Sequence, residues 1–142
     1  MKLSKVPIFP KKKIVGKREW GNEYLLRLVS KKYTLKLLEI KKGKSGGLQF
    51  HRKKNEVGYL ISGKMLITYA NSRGILKKKI IRKGDTFHFP PGSIHKETAL
   101  ENCKIIEAST PHFNDRVRVE EQFGIKNSSG LNTTRIKDIK FL

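Results

Sequence analysis

A glutamine, a histidine and a glutamate lie close together in the segment GLQFHRKKNEVGYLISGK, residues 47–64. Side chains alternate between the two faces of a strand, so Gln49 and His51 share one face of any strand formed here. If that face points into a barrel, burying both groups without partners costs on the order of a few kcal/mol. A divalent metal would satisfy them, and Glu56 is near enough to join through an intervening bend.

A fourth ligand can come from the segment PPGSIH, residues 90–95. Pro91 and Gly92 predict a rigid turn that starts a new strand, and His95 follows three residues later, placed to point inwards. An amide oxygen, two imidazoles and a carboxylate suit Zn, Fe, Mn, Co or Ni. The donor set therefore predicts one divalent metal without choosing which.

The segments around these residues carry strand signals. The runs KYTLKLLEI (32–40) and CKIIEAS (103–109) have the composition of β-strands. Residues 58–70, GYLISGKMLITYA, are two apolar runs broken by Ser-Gly-Lys, which predicts a hairpin. The turn residues NSRG (71–74) predict a second hairpin directly after it.

Short strands at regular spacing, with glycine turns and no helical period over the central hundred residues, predict a β-sandwich or small barrel. A chain of 142 residues can bury one real core. We therefore predict a single all-β domain, preceded by an N-terminal arm over residues 1–13. The polar C-terminal tail, 125–142, is expected to be mobile or to pack on a partner.

The net charge of +20 attracts phosphates, nucleic acid or anionic membranes, but it is an unspecific signal. The chain has 24 lysines and 8 arginines, and the lysines are scattered from one end to the other. Proteins that read nucleic acid favour arginine, whose planar fork pairs with phosphates and base edges. We therefore favour a solvated lysine-rich surface and keep nucleic-acid association as an alternative.

The sequence contains no run of about 18 apolar residues, and its basic N-terminus, MKLSKVPIFPKKK, lacks the apolar stretch of a signal peptide. The single Cys103 excludes an internal disulfide and fits a reducing compartment. These features predict a soluble, cytoplasmic protein without membrane association.

The spacing of glycines, histidines and prolines resembles the two paired motifs of the cupin superfamily, which are small β-barrels of the jelly-roll type. The matching positions are Gly47, His51, Glu56, Gly63, Gly84, Pro90, Gly92 and His95. Two positions depart from the pattern. The usual second histidine of the first motif is Lys53, and the asparagine often found four residues after the last histidine is Ala99.

A narrower resemblance accounts for the first departure. LQFH followed by KNE resembles the metal strand of type I phosphomannose isomerases, whose ligands are a glutamine, a histidine, a glutamate and a distant histidine. This resemblance implies that Gln49, His51, Glu56 and His95 bind the metal, and Lys53 is then not a missing ligand.

Three further stretches resemble the isomerase domain of type II enzymes, which carry a fused mannose-1-phosphate guanylyltransferase. They are WGNEYLL (20–26), GDTFHFPPGSIH (84–95) and DRVRVEEQFG (115–124). The similarity covers about residues 14–124. The second activity of those enzymes is not expected of this chain.

Aldose-ketose isomerisation needs a metal to polarise two substrate oxygens, a group that moves a proton between two carbons, and cations for the phosphate. The resemblance implies that Lys54 stabilises the enediolate or shuttles the proton, and that Arg118 binds phosphate at the mouth. We predict a sugar-phosphate isomerase of the mannose-6-phosphate isomerase type. The alternatives are a non-catalytic cupin that binds a sugar or nucleotide sugar, and another metal-dependent cupin enzyme such as an oxygenase.

Three more residues are predicted to line the substrate pocket. Lys53 would make the mouth basic and attract an anionic sugar. Tyr59 could line the pocket or close the core, and His88 alternates with two phenylalanines and could face the same cavity. The resemblance also implies a homodimer, in which the segment before Trp20 could cross to the neighbouring chain.

Overall fold

The computed structural model describes residues 1–11 and 13–125, with the backbone alone for residues 13–15. The strands are β1 (Lys13–Arg18), β2 (Gly21–Val29), β3 (Tyr33–Ile40), β4 (Gln49–His51), β5 (Glu56–Ser62), β6 (Lys64–Ala70), β7 (Leu76–Arg82), β8 (Thr86–Phe89), β9 (His95–Ala99), β10 (Cys103–Ser109) and β11 (Arg116–Arg118). A single 3₁₀ turn, Glu121–Phe123, follows them within the described range. The predicted all-β class is confirmed.

The strands form two antiparallel sheets. Six strands pair in the order β1-β2-β3-β10-β5-β8, and five pair in the order β11-β4-β9-β6-β7. Buried side chains from both sheets pack in one apolar cluster, with Leu60 and Ile105 from the first sheet and Met65 and Ile67 from the second. The chain passes repeatedly from one sheet to the other, as in the predicted jelly roll.

The predicted hairpin at the Ser-Gly-Lys break is wrong, because β5 and β6 belong to different sheets. Gly63 is the corner between them. Its φ of 93° is rare for other residues, and a Cβ built there would lie 2.3 Å from the Asn102 carbonyl oxygen. The second predicted hairpin is confirmed: β6 pairs with β7 down to Ala70 and Leu76.

The interior is divided into an apolar end and a polar end. On β10 the inward positions run from Cys103 and Ile105 to Glu107 and Ser109, all buried. The neighbouring β3 buries Leu38 and Ile40 at the apolar end, and its buried polar residues, Thr34 and Lys36, lie opposite Ser109 and Glu107. The site described below lies at the polar end.

The outward face of the six-stranded sheet is unusually apolar for a chain with 31% charged residues. Leu35, Val57 and Tyr59 are 37%, 45% and 45% exposed. The strand β10 lies between β3 and β5, and Ile106 faces Leu37 on one side and Tyr59 on the other. We call these five residues the outer apolar face.

The two predicted extensions are described only in part. Residues 1–11 belong to no strand, and the predicted tail lies outside the described residues except for Ile125. The bounds predicted for the domain stay a prediction. No helix within the described ranges is long and apolar enough to cross a membrane.

Candidate metal centre

Three elements bring the predicted ligands together. Gln49 and His51 are the two ends of β4, and Gln49 pairs directly with His95, the first residue of β9. Glu56 begins β5 in the opposite sheet and is 4% exposed. Gln49 and His51 both line the interior pocket.

His51, Glu56 and His95 form a tight buried cluster. Their candidate ligand atoms lie within 4.8 Å of one another. His51 Nε2 is 3.5 Å and His95 Nε2 is 3.4 Å from Glu56 Oε1. Ligands bound at about 2.1 Å around a tetrahedral ion lie about 3.4 Å apart, so these separations match a metal site. The prediction that the three residues meet is confirmed.

Several polar atoms at the cluster are buried without a hydrogen-bond partner among the described residues. They are Gln49 Oε1, His51 Nδ1 and His95 Nε2. Buried polar atoms without a hydrogen-bond partner are rare in native proteins, so their presence here suggests an additional partner. A divalent cation would explain Gln49 Oε1 and His95 Nε2, and His51, Glu56 and His95 supply donors that suit one. Binding by Gln49 remains a prediction.

The segment before β9 fixes the orientation of His95. His95 Nδ1 lies 3.0 Å from the Ser93 carbonyl oxygen and can donate to it, which leaves the Nε2 lone pair free for a metal. The Phe89 ring stacks on the imidazole at 3.8 Å. Gly92 N–H also donates to the His51 carbonyl, at 2.8 Å, and so ties the predicted proline turn to the metal strand.

The protonation states of His51 and Glu56 favour metal binding. Burial lowers the pKa of His51 to about 4, so its imidazole is neutral at pH 7. Burial alone would raise the pKa of Glu56, but Lys54 and the two histidines outweigh it and hold that pKa well below its usual range. Burial also opposes the charged form of His95, yet the adjacent Glu56 carboxylate raises the pKa of His95 above its ordinary value.

Lys54 lies between two carboxylates. Its Nζ is 3.0 Å from Glu56 Oε2 and 3.0 Å from Glu107 Oε1, and its side chain is 12% exposed. Burial alone would lower the pKa of Lys54, but these two carboxylates outweigh it and raise that pKa well above its ordinary value. Lys54 is therefore a fixed cation beside the cluster.

Two pocket carboxylates were missed by sequence reasoning. Glu107 occupies an inward position of β10, and the alternation in CKIIEAS could have found it because Ile105 is on the same face. Glu97 is two residues after His95 on β9 and also lines the pocket. Burial, followed by the charges of Glu56 and Glu107, raises the pKa of Glu97 to about 7.

A second charge network borders the same pocket. Glu23 accepts from Arg18 at 3.0 Å and from Lys36 at 2.9 Å. Burial would raise the pKa of Glu23, but Lys36 and then Arg18 outweigh it and lower that pKa to about 2. These residues come from β1, β2 and β3, far from the metal motif in sequence.

Replacing Glu23 with glutamine should cost about 3 kcal/mol of unfolding free energy at pH 7, because a shift of 2.5 pKa units corresponds to that energy. The folded pKa is lower than the unfolded one, so this stabilisation is complete above about pH 5 and lost as the pH falls towards 2. Urea unfolding between pH 7 and 3 should therefore show a shallower acid slope in Glu23→Gln than in wild type. Glu19→Gln, at an exposed position, should match wild type, and equal slopes in all three proteins would contradict the assignment.

Three residues predicted for the substrate pocket lie elsewhere. Lys53 is exposed. Tyr59 belongs to the outer apolar face, because β5 turns Glu56, Gly58 and Leu60 inwards. His88 is exposed, with Nε2 2.6 Å from Asn55 Oδ1, because Phe87 and Phe89 take the inward positions of β8.

The two arginines of β11 have different surroundings. Arg118 donates from Nη2 to Glu120 Oε1 at 2.7 Å and does not line the pocket. Arg116, two residues earlier, does line it, together with Arg18 and Trp20. The cavity measures about 100 Å³, which is room for several waters or for the reacting end of a small ligand.

The two-sheet fold and its buried His-Glu-His cluster define a small β-barrel with a candidate metal site. Residues 36–112 match the Cupin domain family, which is more than half of the chain. The chain therefore belongs to the cupin family. A search of curated proteins found no match.

Solved structures share this fold at low sequence identity. KdgF from Halomonas sp. is 19% identical, with a TM-score of 0.58, over 66% of this chain and 81% of KdgF. The capsular polysaccharide assembling protein CapF from Staphylococcus aureus is 17% identical, with a TM-score of 0.66, over 78% of this chain and 33% of CapF. The oxalate decarboxylase of Lactobacillus farciminis, solved as a formate complex, is 17% identical, with a TM-score of 0.61 and coverages of 77% and 34%. The chain thus spans about a third of the last two proteins.

Proposed function

We propose that the protein is a metal-dependent sugar-phosphate isomerase of the mannose-6-phosphate isomerase type. The observation that carries the proposal is the buried His51, Glu56 and His95 cluster with the Lys54 cation beside it. A bound metal would polarise the oxygens on C1 and C2, the two substrate carbons between which the proton moves. Gln49, His51, Glu56 and His95 would hold it.

Two residues beside the cluster would supply the other catalytic functions, stabilisation of the enediolate and proton transfer. Lys54, kept protonated by Glu56 and Glu107, would stabilise negative charge on the enediolate and would not act as a base. The proton transfer then falls to a carboxylate. Glu97 lines the same pocket and forms no ion pair within the described part of the chain, so we assign the transfer to Glu97.

Arg118, which we propose binds the substrate phosphate at the mouth of the pocket, already has a carboxylate partner. Its guanidinium donates to Glu120 Oε1 from both Nε and Nη2. A substrate phosphate would therefore have to share this arginine with a carboxylate. CapF, which shares the fold, is a capsular polysaccharide assembling protein, and this supports a sugar-related ligand.

The direct test is to strip the purified protein of metal, reload it separately with Zn, Mn, Fe, Co or Ni, and assay interconversion of mannose, glucose and fructose 6-phosphates. Turnover with at least one metal, abolished by a chelator, is the expected result. Sugar-phosphate binding without turnover under any metal would contradict the isomerase proposal and favour the non-catalytic alternative. Oxygen consumption by the iron-loaded protein would favour an oxygenase.

We also propose that the outer apolar face joins two copies of the chain as a homodimer. Leu35 on β3 and Val57 and Tyr59 on β5 are exposed on either side of β10, and none of the five residues of the face is charged. Exposed apolar patches of this kind mark interaction sites, and a face without charge can meet its own copy without repulsion.

Replacing Tyr59 with glutamate should raise the dimer dissociation constant by about tenfold or more, because it places a carboxylate inside the apolar contact. Light scattering during size-exclusion chromatography over a concentration series would measure the change. Lys78→Glu, an exposed change on β7 in the other sheet, is the control. A wild-type protein that stays monomeric at high concentration would refute the dimer.

A further inference from the structure

Arg116 is a partly buried cation whose side chain lacks a hydrogen-bond or ion-pair partner among residues 1–11 and 13–125. Its Nε is buried without a hydrogen-bond acceptor. The carboxylates of this region are engaged by other cations: Glu23 with Arg18 and Lys36, Glu120 with Arg118, and Asp115 with Arg52. A buried donor without an acceptor loses its hydration and gains nothing in return.

The position of Arg116 places this donor beside the metal cluster. In the pairing of β11 with β4, Arg116 lies directly opposite His51. Side chains at such positions have Cβ atoms about 5 Å apart. Both residues line the same pocket, and His95 lies on the next strand of that sheet. A ligand at the metal would therefore lie within reach of this guanidinium.

Once a metal is bound, the pocket would carry excess positive charge, which an anionic ligand would neutralise. Two adjoining cavities that share Arg116 are lined by four cations, Arg18, Lys36, Lys54 and Arg116, and by five carboxylates, Glu23, Glu56, Glu97, Glu107 and Asp115. A divalent ion would turn this excess of one negative charge into an excess of one positive charge. Burial also lowers the pKa of Arg116, and the charge of Glu23 opposes that shift only in part. Excess buried charge is costly unless an opposite charge pairs with it.

We propose that Arg116 binds an oxyanion group, a carboxylate or a phosphate, of the ligand held at the metal centre. A planar guanidinium can donate two parallel N–H bonds to either group. The proposal rests on the metal binding assumed in the proposed function. It narrows the substrate to molecules that carry an anionic group close to the oxygens that bind the metal.

The test uses the full chain, loaded with zinc and then freed of excess ion. Its binding of inorganic phosphate and of glycolate is measured in two separate calorimetric titrations. Arg116→Met should weaken binding of at least one anion by about tenfold or more, the usual cost of losing a charged hydrogen bond. Arg116→Lys keeps the charge but loses the planar guanidinium, so its anion affinity should lie between those of wild type and Arg116→Met. Arg82→Met, at an exposed position, controls for the general field of the +20 chain and should bind as wild type does.

The pattern of outcomes identifies the source of the oxyanion. Loss for phosphate alone points to a phosphate ester, and loss for glycolate alone points to a carboxylate. Zinc content should be unchanged in Arg116→Met, because this residue is not one of the metal ligands. The proposal is overturned if Arg116→Met binds both anions as wild type does, if Arg82→Met loses as much affinity, or if zinc-loaded wild type binds neither. The sugar-phosphate assay is separate, so anion binding through Arg116 without isomerisation would refute only the isomerase function.

Discussion

Replacing His95 with alanine should lower the metal content of the purified protein from about one ion per chain to nearly none. The expected loss is large because His95 Nε2 is buried, lies 3.4 Å from Glu56 Oε1 and has no other acceptor or donor among the described residues. Elemental analysis after dialysis measures the ion directly. His88→Ala removes an exposed imidazole from β8 and should keep the full metal content.

A thermal melt gives an independent reading of the same prediction. A ligand that binds only the folded state raises its stability, so added zinc should raise the melting temperature of wild type and of His88→Ala. It should leave the melting temperature of His95→Ala unchanged. Full metal content in His95→Ala, or a melting temperature that rises as in wild type, would show that the ion binds elsewhere.

Replacing Lys54 with methionine should destabilise the metal-free protein by about 3–5 kcal/mol, the usual cost of removing one partner from a buried ion pair. Methionine keeps most of the side-chain volume, so the loss measures charge more than packing. Glu56 and Glu107 would then face each other in the interior without their shared cation. Urea unfolding at pH 7 of the chelated protein is the appropriate measurement.

Two further variants isolate the cause of that loss. Lys53→Met is the matched control, since the neighbouring lysine is exposed and should contribute little. The double variant Lys54→Met with Glu107→Gln should recover part of the lost stability, because one of the two unpaired carboxylates is removed. If the double variant is as unstable as the sum of both single changes, Lys54 and Glu107 are not coupled.

The metal cluster could be predicted from the sequence because its signals are local. Gln49 and His51 are two residues apart on one strand, which fixes their common face. The proline turn marks where the strand of His95 begins, and that strand pairs with β4 at Gln49. Alternation and turn chemistry predicted inward positions for these residues, and the resemblance to phosphomannose isomerases predicted that they meet with Glu56, which lies in the opposite sheet.

The rest of the pocket depends on which strand lies next to which, and a single sequence does not give that. Glu23 and Arg116 come from β2 and β11, at opposite ends of the fold in sequence. Alternation on β8 allowed either His88 or its phenylalanine neighbours to face inwards, and burial of two aromatic rings outweighed burial of one imidazole. The Ser-Gly-Lys break has the composition of a hairpin turn, but the chain there changes sheets.

The divided interior has a consequence for how the protein responds to its ligand. β3 and β10 run through both ends, so one pair of strands carries Leu38 and Ile105 in the apolar cluster and Lys36 and Glu107 in the charged network. Loosening one end would therefore strain the other, and the domain should open as a single cooperative unit. Amide hydrogen exchange in β3 and β10 should then slow along their whole length when an ion binds at the polar end alone.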